Sequence, residues 1–298
     1  MTRFLRKKRS LKTESTNFLE GYEELTLDGG QTLVIVASAH RQCVLDLGLH
    51  DPAALLAQAS IKAWATGGRA PHPVIGVGDD VWVIKSYRRG GIVGKFNEDF
   101  YFGSMRFLSE LRVCTHAIRE GVPTVAPIAL VLRRRGLGCR AWLVSPFLAE
   151  TYTLKDALLR PEETLDSEHP EKALSALSRV AGTAVRRMHD VGIDHRDLNL
   201  GNLLVLPPAP DSEPEVLILD WDRARLQNHD AAFGYQNLLR LLRSAFKGRA
   251  ETRFLSVATR GFLRGYFSGD VESLHRLRQY YGQRRFTAIG LHRLFWRE

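Results

Sequence analysis

His195-Arg196-Asp197-Leu198-Asn199-Leu200-Gly201-Asn202, followed by Leu203 to Leu206 and then by Leu217-Ile218-Leu219-Asp220-Trp221-Asp222, is the stretch that decides how this chain folds. It sets two acids and an amide where the transfer of a phosphoryl group needs them. Asp197 can accept the proton of an attacking hydroxyl. Asn202, five residues on, can hold Mg²⁺. Asp220, at the end of a short strand, can hold Mg²⁺ against phosphate oxygens.

The spacing has a physical reason. A loop of five residues lets Asp197 and Asn202 converge from the two ends of a tight turn. Leu203 to Leu206 reads as one short strand and Val216 to Leu219 as another. The Pro-rich link from Pro207 to Pro214 joins them as a hairpin-like loop, which returns Asp220 beside Asn202. Two oxygen donors on neighbouring strand ends suit Mg²⁺, which keeps water and phosphate on its other positions. Asp222 has two readings, at the metal or paired to a neighbouring arginine.

Upstream, the partners such chemistry requires are in order. Val81-Trp82-Val83-Ile84-Lys85 reads as a strand after a Gly78-Asp79-Asp80 turn, and Lys85 is the candidate phosphate lysine. Such a lysine pairs with a helix glutamate. Glu110 supplies one, in a segment with apolar residues at 107, 108, 111 and 118, which is helical spacing. Gly67 and Gly68 are the candidates for covering the phosphates with backbone amides. They lack the spaced three-glycine pattern of protein kinases.

Pro127 leads into a strand from Ile128 to Leu132. Arg133-Arg134-Arg135-Gly136 is expected to turn the chain into a second strand from Cys139 to Val144. Ser145-Pro146-Phe147-Leu148 would be the hinge contacting adenine. Leu174, Leu177, Val180, Ala181, Ala184, Val185 and Met188 form the apolar face of a long helix that delivers the chain to His195. Asp51 and Pro52 read as the N-cap and first turn of another helix.

This order of elements implies an α+β, protein-kinase-like two-lobe fold with ATP between the lobes. Residues 1–20 read as a basic, disordered arm. Residues 21–148 read as a small, mostly β N-terminal lobe with an unexplained N-terminal extension, and residues 149–298 as a larger, mostly α catalytic lobe. The hydrophobic fraction of 44% is ordinary for a globular chain. Cys43, Cys114 and Cys139 show no paired spacing and read as reduced thiols. No apolar run approaches the ~20 residues of a membrane span. These features point to a cytoplasmic protein.

The formal net charge is +9. Arg3, Arg6, Lys7, Lys8, Arg9 and Lys12 crowd the N-terminus, where they would attract an anionic surface. Six arginines interleave with aromatic residues between His275 and Arg297, a pattern that suits either a bilayer surface or a terminal helix packed on its own domain. No nucleic-acid module is recognisable, so no nucleic-acid partner is expected.

The chain resembles the lipopolysaccharide core kinases, especially the 3-deoxy-D-manno-octulosonic acid (Kdo) kinase and heptose kinase group. The residues that carry the resemblance are Lys85-Ser86-Tyr87-Arg88-Arg89-Gly90-Gly91, Glu110-Leu111-Arg112, Gly121-Val122-Pro123-Thr124-Val125-Ala126-Pro127, the Asp197 and Asp220 segments, and Asn237-Leu238-Leu239-Arg240-Leu241-Leu242-Arg243-Ser244. They span about residues 80 to 245, with no match before about residue 65. The resemblance implies ATP- and Mg²⁺-dependent phosphorylation of a sugar hydroxyl on the lipid A-linked core oligosaccharide, with peripheral contact at the cytoplasmic face of the inner membrane. Arg88 and Arg89 are candidate substrate-binding residues, since arginine suits an anionic sugar.

Other kinases share this logic. Asn199 stands where a protein kinase has lysine, Asp222 stands where it has glycine, and no Ala-Pro-Glu follows, which argues against a protein substrate. A small-molecule kinase of the aminoglycoside or choline type stays open. A non-catalytic pseudokinase would have to explain why Lys85, Asp197, Asn202 and Asp220 are all present.

Overall fold

The computed structural model describes residues 19–65, 71–87, 101, 103–136, 138–165, 167–208, 212–227 and 231–282. Gly67, Gly68, Arg88, Arg89, the first 18 residues of the basic arm and the arginines from Arg284 onward lie outside the described residues. The fold is mixed α/β, built on an antiparallel sheet and packed helices.

The first elements are β1 (Tyr22–Leu27), β2 (Thr32–Ala37), α1 (Arg41–Asp46), α2 (Pro52–Gln58), β3 (Ile61–Ala65), β4 (His72–Val77), β5 (Asp80–Ser86), α3 (Met105–Arg119), β6 (Ala129–Arg135) and β7 (Gly138–Pro146). Their seven strands form one antiparallel sheet in the order β1-β2-β6-β7-β5-β4-β3. The unexplained N-terminal extension thus supplies three of the strands, β1, β2 and β3, including both edges.

Alternation along the strands explains the layers. Val34 and Val36 face one side of β2 and Ile35 the other. On the first face Val34, Val36, Trp82, Ile84, Val131 and Val144 meet Val44 and Leu49 from the α1 region, with Leu55 and Leu56 of α2 alongside. On the second, Ile35, Leu130, Leu132 and Ala141 meet Phe107 and Leu111 of α3. A sheet covered on both faces needs near-continuous apolar strands, and these have them. Asp51 caps α2, its carboxylate accepting the Ala54 N–H at 3.2 Å, with Pro52 at the first turn.

The three arginines after Leu132 do not turn the chain. They continue β6, pairing Arg133 with Arg140, Arg134 with Cys139 and Arg135 with Gly138. The turn falls at Gly136, whose φ of +58° a side chain would resist. Ser145 and Pro146 likewise remain in β7, where they pair with Val83 and Trp82.

At β3 the pairing to β4 shifts between Ile61 and Ala63, a bulge. Lys62 of that bulge lays its aliphatic stem over Gly76 of β4. A Cβ at Gly76 would sit 2.4 Å from the Lys62 Cε.

The remaining elements are β8 (Tyr152–Thr153), α4 (Leu154–Leu159), α5 (Pro161–Thr164), α6 (Pro170–Asp190), β9 (Ile193–Asp194), β10 (Leu203–Leu206), β11 (Glu215–Ile218), β12 (Arg225–Leu226), α7 (Ala231–Lys247), α8 (Thr252–Phe267) and α9 (Val271–Gly282). Thr153 and Asp156 form a reciprocal capping box at α4. Leu174, Leu177, Ala181, Val185 and Met188 of α6 are buried in the largest apolar cluster, as the spacing predicts.

α6 and α8 approach closely because glycines line the contact. A Cβ at Gly182 would meet the Phe262 carbonyl oxygen at 2.1 Å, and one at Gly265 the Arg179 carbonyl oxygen at 1.9 Å. No described helix is long and apolar enough to cross a membrane. Cys43, Cys114 and Cys139 are free thiols.

Candidate active site

β10 and β11 pair antiparallel, Leu203 opposite Ile218. The Leu219 N–H then donates to the Asn202 carbonyl at 2.9 Å, so Asn202 and Asp220 leave the ladder side by side. The predicted hairpin therefore does what its spacing requires.

The loop before it is tied internally. Arg196 has φ +60°, and the Asp197 N–H reaches back to the His195 carbonyl at 2.8 Å. The side-chain amides of Asn199 and Asn202 donate to the Asp197 carbonyl at 2.9 and 3.0 Å. Both Asn202 amide hydrogens belong to Nδ2, so its Oδ1 stays available as a donor atom for a cation. The Asp197 side chain is exposed and takes no hydrogen bond from any described residue.

Lys85, near the end of β5, spans the gap to this loop. Its Nζ lies 2.7 Å from Asp220 Oδ1 and 3.5 Å from Glu110 Oε1. Burial alone would favour the neutral amine, but the charges of Glu110 and Asp220 outweigh it and raise the Lys85 pKa. Burial would raise the Asp220 carboxyl too. The adjacent Lys85 ammonium overcomes that and holds it below the usual carboxylate range. Glu110 goes the other way. Its burial outweighs Lys85 and the Tyr87 hydrogen bond, and its pKa rises.

Two residues around this cluster, Tyr87 and Arg106, carry no signal of their role in the sequence. The Tyr87 hydroxyl donates to Glu110 Oε2 at 2.5 Å, and Lys85 Nζ stands 5.2 Å from the centre of the Tyr87 ring. Asp222 takes both Nε and Nη2 of Arg106, one turn before Glu110 on α3. The arginine that Asp222 meets is thus on α3, not a sequence neighbour such as Arg223.

His195 is fully buried. Its Nε2 faces the Leu219 carbonyl at 2.9 Å and must donate, leaving Nδ1 bare. Burial lowers its pKa, in keeping with a neutral ring. Trp221 packs against it with centroids 5.3 Å apart. The Trp221 indole N–H donates to Thr124 Oγ1 at 3.0 Å, and that hydroxyl donates to the Ile218 carbonyl at 2.6 Å. Asp220 itself has φ +65°, a conformation costly for a non-glycine residue and common where a site holds its groups under constraint.

Lys85, Glu110, Asp197, Asn202 and Asp220 thus converge from β5, α3 and the two loops flanking the β10–β11 hairpin. Gly67, Gly68, Arg88 and Arg89 fall outside the described residues.

The chain is also similar to known proteins. The 3-deoxy-D-manno-octulosonic acid kinase of Vibrio vulnificus (strain YJ016) is 30% identical over 210 residues, which are 69% of this chain and 82% of that protein. The enzyme of the same name from Xylella fastidiosa (strain 9a5c) is 31% identical over 205 residues, 64% of this chain and 75% of its own. A solved structure of WaaP in complex with acyl carrier protein has a similar fold, with a TM-score of 0.51 at 16% identity over 84% of this chain and 98% of that one. The model of the lipopolysaccharide kinase (Kdo/WaaP) family matches residues 74–266, extending past both ends of the resemblance read from the motifs. The chain therefore belongs to the lipopolysaccharide kinase (Kdo/WaaP) family.

Proposed function

We propose that this protein transfers the γ-phosphoryl group of ATP to a hydroxyl of Kdo in the lipid A-linked inner core. The observation that carries this is the convergence of Lys85, Glu110 and Asp220 beside Asn202 and Asp197 in a chain whose relatives bear the name Kdo kinase. Membership of a kinase family implies the use of ATP. The sheet with α3 then acts as a small lobe over residues 21–148, the helical remainder as a large lobe over residues 149–298, and ATP lies between.

Lys85, held by Glu110, neutralises phosphate charge. Asp197, exposed and unencumbered, orients the acceptor hydroxyl and takes its proton. Mg²⁺ fits Asp220 and Asn202, whose oxygens leave neighbouring strand ends, and would neutralise charge on the phosphate oxygens. The site does little covalent chemistry itself, so most of the acceleration comes from positioning and charge. Gly67 and Gly68 would cover the phosphates, and Arg88 and Arg89 would meet the acceptor's carboxylate. The reaction belongs at the cytoplasmic face of the inner membrane, where ATP meets a lipid-anchored acceptor, with the basic N-terminal arm as peripheral contact.

The test is mass spectrometry of Kdo-lipid A, and separately of a heptose-bearing core, after incubation with the purified protein and Mg-ATP. Gain of one phosphate on Kdo supports the proposal. Gain on heptose alone, or no transfer to either, refutes it.

A further inference from the structure

The stretch from Asn237 to Ser244 helps to carry the family resemblance, yet the reaction as derived makes no use of its cations. α7, which holds that stretch, has Arg240, Arg243 and Lys247 and not one acidic residue. Spaced three and four apart, these cations share one stripe of the helix. Arg243 and Lys247 are exposed and Arg240 is half-buried. Like charges at such spacing weaken a helix unless an anion lies across them. Arg106, Arg133, Arg179, Arg186, Arg196 and Arg253 each meet a carboxylate. The three cations of α7 form no ion pair with any described residue.

The stripe begins at the reacting centre. Arg240 Nη1 donates to Asn237 Oδ1 at 3.2 Å, and the same oxygen accepts the Arg196 N–H at 3.1 Å. The guanidinium therefore lies beside the backbone that leads into Asp197. Further along, Ser244 Oγ accepts the Leu200 N–H at 3.1 Å, so α7 runs along the loop from Arg196 to Leu200. The exposed Asp197 carboxylate takes no hydrogen bond from Arg240, whose remaining N–H groups are left to point at an incoming molecule. A sugar whose hydroxyl reaches Asp197 thus brings its other substituents up to a guanidinium already hooked in place.

We infer that this stripe is the anion-binding part of the acceptor site. Arg240 binds the carboxylate of the sugar whose hydroxyl faces Asp197, and Arg243 and Lys247 hold further negative charges of the same glycolipid. Arginine suits the first place because its planar fork matches a carboxylate, and lysine suits the last, where only charge is needed. A carboxylate has about four lone-pair sites, so Arg240 can share it with Arg88 or Arg89. Naming the acceptor as Kdo-bearing rests on the proposed function.

The test has two arms, both in the full-length protein. The first is steady-state kinetics with Mg-ATP and two acceptors, Kdo-lipid A and the same glycolipid with its Kdo carboxyl converted to the primary amide. Wild type should favour the carboxylate by at least about 10-fold in kcat/KM, the worth of a charge-assisted hydrogen bond. Arg240→Met should lose about that much on Kdo-lipid A, mostly in the KM for the acceptor, and should treat the two acceptors alike, while the KM for ATP holds. Arg240→Lys, which keeps the charge but not the fork, should retain part of the preference. A preference left intact in R240M overturns the inference, and so does a loss that is equal on both acceptors. The second arm is binding, without nucleotide, to phosphatidylcholine vesicles with and without Kdo-lipid A. Wild type should bind the loaded vesicles more tightly. The double variant R243M/K247M should weaken that binding at least about 5-fold, with binding to bare vesicles unchanged and the gap narrowing as salt is raised. No preference for loaded vesicles, or equal binding by wild type and the double variant, overturns the inference. Both of those side chains are exposed, so this arm decides if R240M does not fold. If wild type binds loaded vesicles through the stripe but phosphorylates no Kdo, the functional proposal fails and the stripe stands as a glycolipid-binding site.

Discussion

Lys85 and Asp220, 135 positions apart in sequence, meet at 2.7 Å, and the contact ties the sheet to the loop that follows β11. It also sets how the protein responds to acid. An ordinary aspartate titrates near 3.9. Asp220 is held lower in the folded state, with burial opposing the shift and the Lys85 charge winning. Its contribution to stability is therefore present above about pH 4 and disappears as pH falls through the folded value. Glu110, whose carboxyl is raised, works in the opposite sense. Subtracting an Asp220→Asn variant isolates the Asp220 part. Urea unfolding at stepped pH should show wild-type stability falling more steeply than that of D220N below about pH 4. Parallel curves would contradict the lowered pKa.

Asp197→Ala separates chemistry from folding. The side chain is exposed and without a hydrogen bond from any described residue, so its loss should change stability by no more than about 0.5 kcal/mol. Turnover should fall roughly 10²- to 10⁴-fold, as for removal of a proton acceptor. Nucleotide binding by titration calorimetry should stay near wild type. Substantial residual transfer would remove Asp197 from the reaction.

Arg106 and Asp222 fasten α3 to the segment after Asp220, and Glu110 sits one turn further along the same helix. Half of the Arg106 side chain is in solvent, so the pair should add only about 0.2–1 kcal/mol to stability in a double-mutant cycle. Its effect on turnover should be larger, because a shifted α3 carries Glu110 away from Lys85. Arg106→Met is expected to lower kcat/KM by about 10-fold or more while thermal melting moves little. Equal, small effects on both would reduce the pair to a surface contact.

The α6–α8 crossing depends on missing side chains. Gly265→Ala would drive a methyl to within 1.9 Å of the Arg179 carbonyl oxygen. The helices must separate, at about 1–3 kcal/mol, against a helix-propensity gain of ~1 kcal/mol. Denaturant unfolding should show a net loss of stability, and an unchanged midpoint would mean the crossing relaxes freely.

The parts of this protein that were legible in its sequence are those whose chemistry is local. The Asp197–Asn202 loop, the strands on either side of the Pro-rich link, the Asp51 cap and the α6 stripe follow from spacing within one or two turns. Lys85 and Glu110 were legible as a pair because a strand lysine followed by a helix glutamate is itself a pattern. Tyr87 and Arg106 were not, since a hydroxyl or guanidinium gives no sign of which distant carboxylate it meets. The Arg133–Arg135 run misled for a related reason: three charges suggest solvent and a turn, but pairing to β7 carries the strand on to Gly136. Asn237 stood out as part of a family-like stretch, though its hydrogen bonds to the Arg196 N–H and Asp194 became visible only once α7 lay across the Asp197 loop. Glycines at 182, 261 and 265 carry no periodic apolar signal, so the helix crossing they permit was silent in the sequence.

The bulge in β3 bears on how the protein behaves at high concentration. β3 ends the seven-stranded sheet, and it presents Trp64, 56% exposed, on that flank. A flat terminal strand with an aromatic on it would invite a second molecule to continue the ladder. Here the register shift breaks the row of amides and carbonyls, and Lys62, folded across Gly76, leaves a cation at the break. One irregular residue thus guards this flank of the sheet against being extended by another copy.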